Sequence, residues 1–120
     1  SGEVAVTAEA FDGTADSQEE LLKRLQFVLW RLEAQQDWER GALFAALKGL
    51  ADTLELKPKV LFAPLFVAIS GKSSAYSIPD SMSILGPDLT RARLRNAISV
   101  LGGVSKKAAK RLEKEYAALA

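Results

Sequence analysis

The chain has 120 residues, 48% of them apolar and 26% charged, which suits one folded domain with a modest core. It contains neither cysteine nor histidine, which excludes disulfides, thiolate or imidazole metal sites, and the Ser-His and Cys-His nucleophile arrangements. The net charge of +1 conceals a split: residues 1–56 carry 11 acids and 5 bases, and residues 57–120 carry 4 acids and 11 bases.

A basic half on a nearly neutral domain is the footprint expected of a face that meets a polyanion. No apolar stretch reaches the roughly 18 residues of a membrane span. No signal peptide is expected either, because the first residues carry acids rather than a basic region followed by an apolar one. The lack of cysteine suits a reducing compartment. The acids are scattered over predicted solvent faces rather than set into apolar pockets, so no catalytic residue, metal site or cofactor is expected in these residues.

Residues 1–16, small and acidic, read as a linker or lead-in from a preceding domain; Val4 and Val6 alternate too briefly to predict a strand. Ser17 with Glu20 makes a capping box, which starts a helix running to about Gln35 with Leu21, Leu25, Val28, Leu29 and Leu32 on one stripe. Asp37 is the expected cap of a second helix, striped by Leu43, Leu47, Leu50 and Leu54. Gly41 and Gly49 would weaken that helix or admit a close neighbour. Ten apolar residues then run from Val60 to Ile69. Pro64 argues against a central strand there. The run is expected to be a buried helix, kinked or broken at Pro64, with Pro58 in its first turn and Gly71 as a left-handed stop. In it, Phe62, Leu65, Val67 and Ile69 should be largely buried.

Ser77 caps a short helix with Pro79 in its first turn, and Gly86 ends it. Pro87 and Asp88 open the next helix, with Leu94, Ala97, Ile98 and Leu101 on one face and Arg91 and Arg95 on the opposite one. Gly102-Gly103 stops it. Ser105 caps a last helix with a stripe through Leu112, Tyr116 and Leu119, and a ridge of Lys106, Lys110 and Lys114 at i, i+4, i+8 spacing. The fold class is therefore all-α, a bundle or cage of about six helices, with no internal repeat.

In order along the sequence stand "DW", "LADTLELKPKV", "APLFVAISG", a "LG" fifteen residues after that glycine, and "RARLRNAI". This order resembles the C-terminal anticodon-binding domain of bacterial glutamyl-tRNA synthetases, over roughly residues 17–100. The resemblance implies a helical anticodon-binding domain at 17–101 and a C-terminal extension at 102–120. It also implies a tRNA anticodon loop as partner and preceding synthetase domains in the same parent protein. The parent would be a cytoplasmic ligase that uses ATP and magnesium outside these residues, with no membrane partner.

The resemblance also implies a site at the loop "GKSSAYS". Lys72, Ser74, Ala75, Tyr76 and Ile78 would line the surface facing the anticodon, with Phe66 beside them and Arg91 and Arg95 on backbone phosphates. Where the family usually has Pro-Leu-Arg, this sequence has Pro64-Leu65-Phe66. Where the family has Ser-Pro or Thr-Pro, it has Ala75-Tyr76. Stacking and shape, rather than bidentate hydrogen bonds, would then carry base discrimination. Class I lysyl-tRNA synthetases carry a related cage, with an aromatic at the Phe66 position and Gly-Lys at Gly71-Lys72; they are the nearest alternative. A helical scaffold without RNA binding is the other.

Overall fold

The computed structural model describes residues 6–70 and 77–120. A 3₁₀ turn at Ala8–Phe11 precedes six α-helices: α1 Gln18–Glu33, α2 Arg40–Thr53, α3 Pro58–Ser70, α4 Ile78–Leu85, α5 Pro87–Val100 and α6 Lys106–Ala118. No strand occurs among the described residues. The expected all-α class is what is observed.

Local chemistry sets most of the boundaries. Ser17, Ser77 and Ser105 each accept a hydrogen bond from the backbone N–H three residues on, at 3.1, 3.3 and 3.1 Å. Each thus satisfies one of the orphan donors of a helix start. Pro58 and Pro87 are the first residues of α3 and α5, where a missing N–H costs nothing. Gly86 separates α4 from α5 at φ +86°, and Gly103 ends α5 at φ +76° while donating to the Ile98 carbonyl at 2.8 Å.

The apolar run of α3 lies at the centre, in contact with α1, α2, α4 and α5. A helix surrounded in this way has apolar residues on most sides, which explains the unbroken run. Leu61, Leu65, Ala68 and Ile69 are buried, together with Leu25, Leu29, Leu47, Leu50 and Leu94 from its neighbours. α1 and α5 run antiparallel. The Gln18 amide donates to the Leu101 carbonyl at one end (2.7 Å), and Arg91 donates to the Leu32 carbonyl at the other. α6 lies against α1: Leu112 is buried, and the Tyr116 ring meets Phe27 at 5.2 Å and Trp30 at 5.4 Å. Phe11 is also a core residue, so the end of the lead-in is docked.

Other expectations fare differently. α3 runs without a break through Pro64, which sets aside the broken course of the two expected there. Proline removes a single donor there, and burial of the surrounding apolar side chains offsets that loss of about 3 kcal/mol. Asp37 does not cap α2. Its carboxylate accepts from the Glu39 N–H at 3.0 Å in the connection, and Glu39 occupies the cap position without a side-chain bond. A Cβ on Gly41 or Gly49 would meet no described atom within 4 Å, so no described helix crosses closely there. α1 ends at Glu33, within two residues of the stop expected near Gln35. Phe62 and Val67 are only half-buried, on the rim of the core, and Phe62 meets the exposed Phe44 edge-on at 6.3 Å.

Candidate nucleic-acid interface

Lys72, Ser74, Ala75 and Tyr76, with the Gly71 stop, lie outside the described residues. The two ends that flank them are described. At the α3 end the Ser70 hydroxyl donates to the Phe66 carbonyl, and the Arg93 guanidinium donates to the Ile69 carbonyl. The Ile69 carbonyl, at the end of α3, is thus held by a side chain from the middle of α5. Phe66 is half-buried and packs on the core. On the other side, the Ser77 hydroxyl caps α4 and also donates to the Asp80 carboxylate at 2.8 Å.

Ile78 is 1% exposed. It stands at the first position of α4, where its side chain enters the core, so it does not line a surface; it fixes the start of the helix instead. The α4 start is not a bare anion site either. Asp80 places a carboxylate in the first turn, held by Arg40 at 3.3 Å, and this offsets the partial positive charge of the helix end.

The two arginines expected to share a face do, and their surroundings differ. Arg91 is half-buried. Its Nε and Nη2 donate to the Leu32 carbonyl at 3.2 and 2.9 Å, and Nη2 also reaches the Gln35 carbonyl at 3.3 Å. These acceptors lie at the end of α1 and just past it, so Arg91 adds a charged donor to the last turn of a helix 59 residues away. Its guanidinium carbon also lies 5.3 Å from the Trp38 ring centre, within cation–π range. The Trp38 indole N–H in turn donates to the Met82 carbonyl near the end of α4, at 2.8 Å. One series of contacts therefore joins α1, the 34–39 connection, α4 and α5. Arg95, one turn further on, is exposed and pairs with exposed Glu33 at 2.9 Å.

Arg93, Trp38 and Arg40 hold this region, yet their roles were not read from the sequence. "DW" marked Trp38 as a landmark without giving it a function. Arg93 falls between the paired Arg91 and Arg95 on a different side of α5, and no short-range pattern tells that it reaches α3.

A second basic surface lies on α6, where Lys106, Lys107, Lys110, Arg111 and Lys114 are distributed around the solvent side of the helix. Among the described residues, no group of three or more acidic side chains is close enough to hold a metal ion. No described helix is long and apolar enough to cross a membrane.

A family model described as "Anticodon binding domain" matches residues 1–98. A "Glutamate--tRNA ligase" of Marinomonas sp. is 54% identical over 118 residues, which is 98% of this sequence and 24% of that relative. One from Saccharophagus degradans is 53% identical over 116 residues, covering 97% of this sequence and 23% of the relative. A third, from Alcanivorax borkumensis, is 48% identical over 115 residues, covering 96% and 23%. The chain thus spans about a quarter of the length of the curated relatives it matches.

Proposed function

Because this chain belongs to the anticodon binding domain family, we propose that it receives the anticodon end of a tRNA for a glutamate--tRNA ligase of which it forms one part. One observation carries this reading above the others: relatives bearing that name match almost the whole sequence at about half identity. The same observation favours it over the lysyl alternative and over a scaffold without RNA binding. In this reading, ATP- and magnesium-dependent charging in the cytoplasm falls to other parts of the parent protein. Residues 1–16 lead in from those parts, 17–101 form the binding unit and 102–120 extend it.

The contact face is then built around Phe66, Lys72, Ser74, Ala75 and Tyr76, with Ile78 and Ser77 anchoring one end of the loop and Arg93 the other. Tyr76 supplies a stacking surface for an unpaired base, and the serine hydroxyls bond to phosphates or base edges. Arg95 can exchange its exposed carboxylate partner for a phosphate. Arg91, already engaged with the end of α1, acts as a positioning residue.

Titration of an anticodon stem-loop carrying the glutamate anticodon, at several salt concentrations, tests this face. Tyr76→Ala is expected to bind about 5- to 150-fold more weakly, the equivalent of about 1–3 kcal/mol for one stacked base, with an unchanged salt slope. Arg95→Ala should lower the slope by up to about one. Wild-type behaviour in both variants would remove the face from the reading.

A further inference from the structure

We infer that α6 carries a second RNA contact, a phosphate-backbone surface on its outer side, separate from the anticodon-facing loop. The inference rests on the reading that this chain engages tRNA, and it concerns a helix beyond residues 1–98, the part matched by the family model.

The charge on α6 is concentrated and unneutralised. Within thirteen residues stand Lys106, Lys107, Lys110, Arg111 and Lys114, all exposed, and none of them forms an ion pair with a described residue. Of the two acids on the helix, Glu115 is drawn off to Lys23 of α1 at 3.4 Å, which leaves Glu113 alone among the cations. At 100° per residue, Lys107, Lys110 and Lys114 lie on the side of the helix opposite buried Leu112, with Lys106 and Arg111 at its edges. Four residues of α-helix rise about 6 Å, so Lys106, Lys110 and Lys114 form a regularly spaced row.

The order of these charges opposes what the helix itself would favour. Lysines at positions 106 and 107 sit in the first turn, against the positive end of the helix dipole, while both acids stand in the second half. Helix stability does not account for that arrangement. A ligand of high negative charge density does, because the dipole and the first-turn lysines then act on it together.

The surface is seated on α1 by two side chains. Leu112 is buried, and Tyr116 is fixed between Phe27 and Trp30. The apolar stripe is thus used in docking α6 to α1, which leaves no apolar wedge to enter a lipid interface. An anionic membrane is therefore the poorer occupant, and an RNA backbone the better one. The contact carries no base information, because lysines meet phosphates as point charges.

The test uses the whole 120-residue protein, a glutamate-accepting tRNA transcript, its anticodon stem-loop, and an RNA duplex of unrelated sequence. The variant is Lys107→Gln/Lys110→Gln/Lys114→Gln, three exposed helix positions where glutamine is tolerated. Each lost duplex phosphate contact should remove about 0.9 from the slope of log affinity against log salt. If all three lysines are engaged on the tRNA, the affinity lost between about 50 and 200 mM salt shrinks by about fortyfold relative to wild type. Binding of the unrelated duplex should fall in parallel. Glu113→Lys should act in the opposite sense and steepen the slope. Unchanged slopes in both variants, with stem-loop binding by wild type intact, would overturn this inference and leave the anticodon reading standing. Equal affinity of the wild type for phosphatidylserine vesicles, lost in the triple variant, would also overturn it. Failure of the wild type to bind the stem-loop at all would instead defeat the anticodon reading.

Discussion

The arginines of α5 and the lysines of α6 come from the same basic half of the sequence, yet the fold uses them in opposite ways. Arg91 closes the end of α1, Arg93 closes the end of α3, and Arg95 pairs with Glu33. The α6 cations have no such partners among the described residues and face solvent. Counting cations in a stretch of sequence therefore overstates the charge available to a ligand. A guanidinium with several donors is a ready cap for buried carbonyls, whereas an ammonium on an outer helix face is left for solvent or a polyanion.

The largest test of this contrast is stability. Leu65 and Leu94 are fully buried where α3 and α5 meet, so Leu65→Ala or Leu94→Ala is expected to cost about 2–5 kcal/mol in urea unfolding followed by circular dichroism. Leu119→Ala, on the half-buried rim at the end of α6, should cost less than about 1 kcal/mol. Equal costs would make α6 as integral to the core as α5 and would remove the distinction.

The second test concerns the cations themselves. Arg91→Ala should destabilise by about 1.5–3 kcal/mol, since it leaves the carbonyls at the end of α1 without their charged donor and removes the contact with Trp38. The triple lysine-to-glutamine variant of α6 should stay within about 0.5 kcal/mol of wild type. If Arg91→Ala proves equally harmless, the α5 arginines are not structural. Indole fluorescence should follow the same order, because Trp38 loses its cationic neighbour only in the Arg91 variant.

The smallest effect is expected at high pH, where α6 rests on α1. Burial raises the Tyr116 phenol above its ordinary 10.0, and the nearby Arg31 guanidinium pulls it partly back. The folded state therefore favours the neutral phenol. Its contribution is fully present below about pH 10 and is lost as pH rises through the raised value. Tyr116→Phe should keep the ring contacts and flatten the alkaline loss of stability relative to wild type. An identical alkaline profile in both proteins would mean that the phenol is not held against α1 as described.

Much of the fold was legible because its signals are short-range. Ser17, Ser77 and Ser105 bond to amides three residues away, and Gly86 and Gly103 take up positive φ within their own turns. Such features are fixed by steric and hydrogen-bonding rules that act over a few residues, so sequence alone determined an all-α class, the six helices of the described residues and most of the core stripe. Asp37 shows where this stops: two competing local bonds were available to its carboxylate, and the one to the Glu39 N–H prevailed. The candidate site was legible only as residue types in an order. Which of its cations are used by the fold was decided by tertiary structure, because Arg91 meets Leu32 across 59 residues and Trp38 meets Met82 across 44. The same holds for the unbroken course of α3 through Pro64, for burial depends on which helices surround a side chain, and no local pattern encodes that.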